Sequence, residues 1–224
     1  MISIILPTRK RTELLTKSVA SLVDTAANKD NLEILVAYDS DDEESKDYFA
    51  NPNWTTIQHK EFEFERQGYA KLHNYVNFLG EKAKGSWINF WCDDLFMLDE
   101  GWDEEVLSHE GFFGLLRTNT VNHPHPFAMA PIFPAEWVSY FGKVSPVTHC
   151  DWWLWNVCHL ANRVIDIPIR TYHDRFDLTG NNEDIMWEER DYSADGKNPT
   201  NPSDWSHPDR RRDLITWSEK LKKK

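Results

Sequence analysis

Apolar and polar residues alternate in blocks along the first hundred positions, and the blocks change period from strand to helix and back. Residues 2–6 form a nearly continuous apolar run closed by Pro7, which predicts a strand buried on both faces. Over residues 12–25, Leu14, Leu15, Val19, Leu22 and Val23 share one helical stripe. Residues 32–38 read as a second buried strand, closed by Asp39-Ser40-Asp41-Asp42, with a short helix over 43–49 and a weaker strand over 55–59. In residues 69–84, Leu72, Val76, Leu79 and Ala83 repeat at three and four, and Gly85 stops the helix. A fourth strand over 87–91 ends in Cys92-Asp93-Asp94. This alternation predicts an α/β fold with a mainly parallel sheet and right-handed crossovers, whose ligands gather beyond the carboxyl ends of the strands.

The second half is less regular. A strand is expected over 111–117, a loop containing His123 and His125 over 119–126, and helices over 134–141 and 151–161. Residues 164–172 are strand-like although Pro168 interrupts them. Residues 191–208 read as loop and 209–224 as a helix ending in three lysines. The pattern divides into residues 1–98, 99–190 and a C-terminal extension, 191–224, on a single domain.

Composition narrows the chemistry. The chain has 224 residues, 40% apolar, with a net charge of −12. That charge argues against general nucleic-acid binding and means that an anionic substrate needs local cations or a metal. The 11 Trp fit either a thick core or a surface that stacks on sugar rings. Cys92, Cys150 and Cys158 form no disulfide framework, which suits a reducing compartment. The apolar start is short and followed, not preceded, by basic residues, and no window reaches membrane-span length, so a cytoplasmic location is expected.

Three polar clusters stand at predicted strand ends. Pro7-Thr8-Arg9-Lys10-Arg11 is either a nucleotide-binding turn or a solvated basic one. Asp39 is placed to accept from a base or ribose, while Asp41 and Asp42 are read as caps of the next helix. Asp93-Asp94 is either an exposed turn or a site where a divalent cation offsets the repulsion of two carboxylates.

These clusters, in this order, resemble the family 2 glycosyltransferases of the GT-A fold. Ile2-Ser-Ile-Ile-Leu-Pro-Thr-Arg-Lys-Arg resembles the family's opening strand and turn, and Leu32-Glu-Ile-Leu-Val-Ala-Tyr-Asp its second strand. Ala70-Lys-Leu-His-Asn, then Ala83-Lys-Gly-Ser-Trp-Ile-Asn-Phe-Trp-Cys-Asp-Asp, resembles its helix and metal-binding strand end. The likeness implies donor contacts from Pro7, Thr8, Arg9, Arg11, Asp39, Lys71, Asn74 and Asp93. It implies manganese or magnesium on Asp94 and His173. It also implies Asp151 as the base of an inverting transfer, with helix capping as the competing role of that residue, and Trp152 and Trp153 as acceptor platforms. Cys92 stands where the family often has another acid, and Cys150 replaces an acid before Asp151. The Gln-x-x-Arg-Trp signature of processive synthases is missing, which points to single additions. A UDP-sugar is the favoured donor, and a glycan, lipid-linked or protein hydroxyl the acceptor. Asn181-Asn182-Glu183-Asp184 is read as a loop over the donor, and the basic C-terminal residues as either a solvated helix or a peripheral membrane contact. Two other classes compete: a Trp-rich carbohydrate-binding module, and a sugar-phosphate nucleotidyltransferase, which looks for a Gly-rich phosphate loop that residues 7–11 lack.

Overall fold

The computed structural model describes residues 1–123, 127–180 and 200–224. β1 (Ile2–Pro7) is buried on both faces. Ile4 and Leu6 join one apolar cluster and Ile5 the other, so helices must cover both sides of the sheet. On the first side α1 (Thr12–Thr25) lays down Leu15, Val19 and Leu22, joined by Trp102 and Val106 of α4 (Trp102–Ser108). On the second, α3 (Leu72–Lys82) contributes Tyr75, Val76 and Leu79, and α6 (Cys150–Leu160) contributes Trp153, Leu154 and Val157. The remaining helices among the described residues are α2 (Glu43–Phe49), α5 (Glu136–Phe141), α7 (Phe176–Thr179) and α8 (Pro208–Lys222).

The other strands are β2 (Leu32–Asp39), β3 (Gln58–Phe64), β4 (Trp87–Phe90), β5 (Leu95–Met97), β6 (Leu115–Thr120), β7 (Ile132–Pro134) and β8 (Val164–His173). They form one sheet in the order β3-β2-β1-β4-β7-β6-β8-β5. β3, β2, β1 and β4 are parallel, as are β6 and β8; β7 is antiparallel to both neighbours, and β5 to β8. This is the expected mixed, mainly parallel sheet flanked by helices, in a single domain.

Several elements differ from the sequence reading, each for a local reason. The third strand lies at 58–64, not 55–59. It is a sheet edge, so its pattern is largely polar, and Phe62 and Phe64 alone pack on α3 through Phe78 and Tyr75. The helix expected over 69–84 opens as a 3-10 turn, Tyr69–Lys71, after Gly68 at φ 73°. The strand expected at 111–117 begins only at Leu115, because Gly111 at φ 87° still turns the chain. β8 runs through Pro168 by shifting its register against β6 between Arg117 and Asn119, which accommodates the missing N–H. β5, β7 and α4 are elements that the hydrophobic pattern does not mark. Of the tryptophans, Trp87, Trp91, Trp102, Trp137 and Trp153 are fully buried, so the surplus serves the core. α8 is docked: Trp217 stacks on Phe141 at 4.4 Å, and Leu221 is fully buried.

Gly85 sits where its Cβ would lie 2.5 Å from Met1 O and 2.8 Å from Ser3 N, both backbone atoms. Its N–H donates to Ser3 Oγ, which donates to the buried Glu33. Gly85→Ala is therefore expected to cost about 3 kcal/mol and to lower the melting temperature by about 10 °C in a thermal scan. His73 on α3 is held down to about 4, by burial first and then by the charges of Lys143, Arg210 and Lys71. Its unfolded form binds a proton below roughly 6.5, so between pH 6.5 and 4 the unfolded state takes up more protons and stability falls as pH falls. The wild type is expected to lose about 2 kcal/mol more than His73→Gln over that window, measured by urea melts at both ends.

Candidate active site

The carboxyl ends of β1, β2 and β4 open into one cleft. Its wall includes Pro7, Thr8, Arg9 and Arg11 from the first turn, Asp39 from the second strand and Asp93 and Asp94 from the fourth. Beyond Pro7, Thr8 N–H donates to Ala37 O at 2.9 Å and keeps the chain on the sheet. Lys10 then adopts φ 52°, a left-handed conformation uncommon for a residue with a Cβ, and its N–H donates to Asp42 Oδ2 at 2.8 Å. The turn sends its two arginines to different acids. Arg9 Nη1 reaches Asp39 Oδ2 at 3.0 Å and Asp41 Oδ1 at 2.5 Å. Arg11 Nη1 reaches Asp93 Oδ1 at 2.8 Å and stands 3.5 Å from Asp94 Oδ2. Asp42 caps α2 as expected, accepting from Ser45 N–H; Asp41 does not cap it but pairs with Arg9.

Asp39 is buried, and both its oxygens are engaged, one by Arg9 and the other by the phenol of Tyr75. Burial and this contact push the Tyr75 phenol well above its usual range, so Tyr75 is a fixed donor to Asp39. Tyr75 also lines the cleft. It falls one residue before Val76 on the apolar face, which hid its polar end from a reading of periodicity.

The acid pair is held by a lattice of contacts. Ser18 on α1 takes the indole N–H of Trp91 at 2.8 Å and donates to Leu95 O at 2.5 Å, bracketing the turn from both ends. Thr8 Oγ1 donates to Asp93 Oδ2 at 2.8 Å. Asp94 Oδ1 lies 2.9 Å from His173 Nε2, and Asp94 O accepts the N–H of Asp174 at 2.8 Å. The antiparallel pairing of β5 with β8 places Leu95 opposite His173, so a three-residue strand joins the histidine to the acids. Asn122 fixes the His173 backbone from both sides, and His173 Nδ1 is buried with no hydrogen-bond partner among the described residues.

Electrostatics separates the two acids. Burial raises Asp93, aided by the charge of Asp94 and opposed by Arg11. Burial acts against Asp94 too, but His173 and then Arg11 outweigh it and hold Asp94 at about 2. Burial, then Asp94 and Asp151, drives the Cys92 thiol well above its usual range, so it presents no thiolate to the cleft.

Across the cleft, Asp151 lies in the first turn of α6 and lines the wall with His149 and Cys150. The cap position is His149, one residue before the helix, so capping is not the role of Asp151. Among the described residues Asp151 makes no hydrogen bond or ion pair. Trp153 is fully buried against Trp217 and has no face left for a ligand. Trp152 is half-buried and packs against Trp205 in a tilted pair, ring centroids 4.8 Å apart, outside the cleft wall. Lys71 and Asn74 are exposed and do not line the cleft; the same helix face presents Leu72 and Tyr75 instead. Arg175 lines it two residues after His173 and was missed, because nothing in the spacing marks it. His123 packs against Phe127 away from the wall. His125 and Asn181 to Asp184 lie outside the described residues.

Among the described residues no three potential ligands converge as a ready metal site. The pair Asp94 and His173 nevertheless supplies one carboxylate oxygen and one imidazole nitrogen at hydrogen-bond distance. Manganese or magnesium accepts such a set when phosphate oxygens and water complete it, so the residues fit.

No family model matches the sequence, and no curated protein matches it. Solved structures do match. Residues 1–349 of S. aureus TarS in complex with UDP-GlcNAc align at a TM-score of 0.59 and 15% identity, over 84% of this chain and 63% of that one. The mannosyltransferase PcManGT from Pyrobaculum calidifontis, in complex with GDP-Man and Mn2+, aligns at 0.62 and 14% identity, over 77% of this chain and 56% of that one. The chain thus spans about three fifths of the length of these two structures. The likeness shows that the chain has a GT-A-type, Rossmann-like fold.

Proposed function

We propose that this chain is a glycosyltransferase that moves a sugar from a nucleoside-diphosphate donor, UDP favoured, to a hydroxyl acceptor. The observation that carries the proposal is the convergence of Thr8, Arg11, Asp93, Asp94 and His173 on one cleft, facing Asp151. Two structures of similar fold support the reading, since they were solved with UDP-GlcNAc and with GDP-Man and Mn2+. The core role of five tryptophans removes the main support for a non-catalytic sugar-binding module.

In this proposal residues 1–98 hold the donor, residues 99–190 the acceptor, and 191–224 extend the domain. Asp39, kept rigid by Arg9 and Tyr75, uses its remaining lone pairs on the base or ribose. Arg11 and Arg175 offer positive charge to the diphosphate, and Asp93 is oriented toward the sugar end. Asp94 and His173 would hold manganese or magnesium, which when bound offsets charge on the departing diphosphate. Asp151 takes the acceptor hydroxyl proton as the new oxygen–carbon bond forms. The old anomeric carbon–oxygen bond breaks and its electron pair leaves with the nucleoside diphosphate. One displacement inverts the anomeric carbon, and the missing processive signature supports single additions. No described helix is long and apolar enough to cross a membrane. The unpaired Cys92, Cys150 and Cys158 support a cytoplasmic location.

A panel of nucleoside-diphosphate sugars, each with and without manganese, tests the proposal through nucleoside-diphosphate release and thermal stabilisation. A UDP-sugar is expected to raise the melting temperature and to be hydrolysed slowly, both only with metal. A panel in which no donor does either refutes the assignment.

A further inference from the structure

Arginines of this acidic chain are commonly neutralised where they stand, as Arg9, Arg117 and Arg170 show. Three further cations matter near the cleft: Lys71 and Lys143 form no ion pair among the described residues, and Arg210 is paired with Asp213. Lys71 ends the 3-10 turn that begins at Tyr69, a residue of the cleft wall. Lys143 follows α5, in the segment that runs on to Thr148 and His149 of the same wall. Arg210 lies in the first turn of α8.

These segments are fastened together. Thr148 Oγ1 donates to Ala70 O at 2.6 Å, and Thr148 N–H to Ser203 O at 3.3 Å. Asn77 of α3 accepts the N–H groups of Val144 and Ser145, each at 2.9 Å. His73 lies half-buried within the field of all three cations. Lys71 and Lys143 are exposed and form no ion pair among the described residues. Arg210 gives Nη1 to Asp213 at 2.7 Å, yet its Nε, like Nδ1 of His73, is buried with no hydrogen-bond partner among the described residues. Buried polar nitrogens without partners need an explanation, and the ring of His73 also feels the charge of two ammonium groups that form no ion pair among the described residues.

We propose that Lys71, Lys143 and Arg210, gathered around His73, form a phosphate-binding patch at the rim of the cleft, which holds a phosphate group of the acceptor. Phosphate suits the geometry better than carboxylate, because its several terminal oxygens can meet donors arriving from three separate segments. The word acceptor rests on the transferase reading; the anion site does not. Lys71, read from sequence as a donor contact, belongs to this patch.

The test follows the His73 ring signal by NMR in the full chain, assigned with His73→Gln, during titration with inorganic phosphate. A saturable shift is expected, weakened about tenfold in Lys71→Ala/Lys143→Ala, with UDP affinity changed less than about twofold. Both lysines are exposed, so the double variant folds. Vesicles of phosphatidylglycerol in phosphatidylcholine identify the source. Sedimentation of the wild type but not the double variant marks a lipid headgroup; the phosphate shift without sedimentation marks a soluble phosphate ester. An unmoved His73 signal, equal affinity in the double variant, or displacement of phosphate by saturating UDP overturns the patch. A chain that binds phosphate here but binds no nucleotide keeps the patch and loses the transferase reading.

Discussion

Asp94→Asn is expected to lower sugar transfer by about a thousandfold while leaving the fold in place. The carboxylate is buried and ionised because His173 and Arg11 overcome the cost of burial. Asparagine fills nearly the same volume and still offers an oxygen to His173. The backbone bond from Asp174 N–H to Asp94 O is untouched by the substitution. The expected stability loss is about 1 to 2 kcal/mol, well short of unfolding. What disappears is the negative charge that would hold the divalent cation with His173. The check is nucleoside-diphosphate release at saturating manganese, beside a thermal melt of the same sample. A folded variant with near wild-type turnover would place the chemistry elsewhere.

Asp151→Asn is expected to retain donor binding and to lose about 10² to 10⁴ in kcat. Removing a positioned base affects the transfer step and leaves the ground-state complex alone. The structure makes this variant clean. Asp151 is not the helix cap, and it makes no hydrogen bond or ion pair among the described residues. Its loss costs the fold little beyond its interaction with the first turn of α6, about 0.3 to 1 kcal/mol. Calorimetry with the donor nucleotide should give an unchanged affinity beside a collapsed transfer rate. Transfer at near wild-type rate would mean that another group takes the acceptor proton.

How far sequence led to this site varied by element. The first strand, first helix and second strand were legible because each carries a long run of one period and buries it against its neighbours. The edge strand β3 was displaced, since only Phe62 and Phe64 among its residues mark it as part of a sheet. β5 and β7 have three residues each, too few to express a period, yet β5 is the element that carries His173 to Asp94. Their contact was therefore reachable only through a family resemblance. Trp153 lies in the core and not at an acceptor surface, because a helix with tryptophans at successive positions turns one of them inward. Tyr75 and Arg175 act through contacts that depend on tertiary placement, and no local pattern announces them.

On the proposed reading, the cleft between Arg11 and Asp151 is a donor-nucleotide site completed by a divalent cation on Asp94 and His173. Calorimetric titration of UDP into the wild type and Asp94→Asn, each with and without manganese, tests it most directly. Saturable binding by the wild type that requires manganese, weakened about tenfold or more in the variant, is the predicted result. Equal UDP binding by both proteins regardless of manganese, or no binding by either, would contradict it.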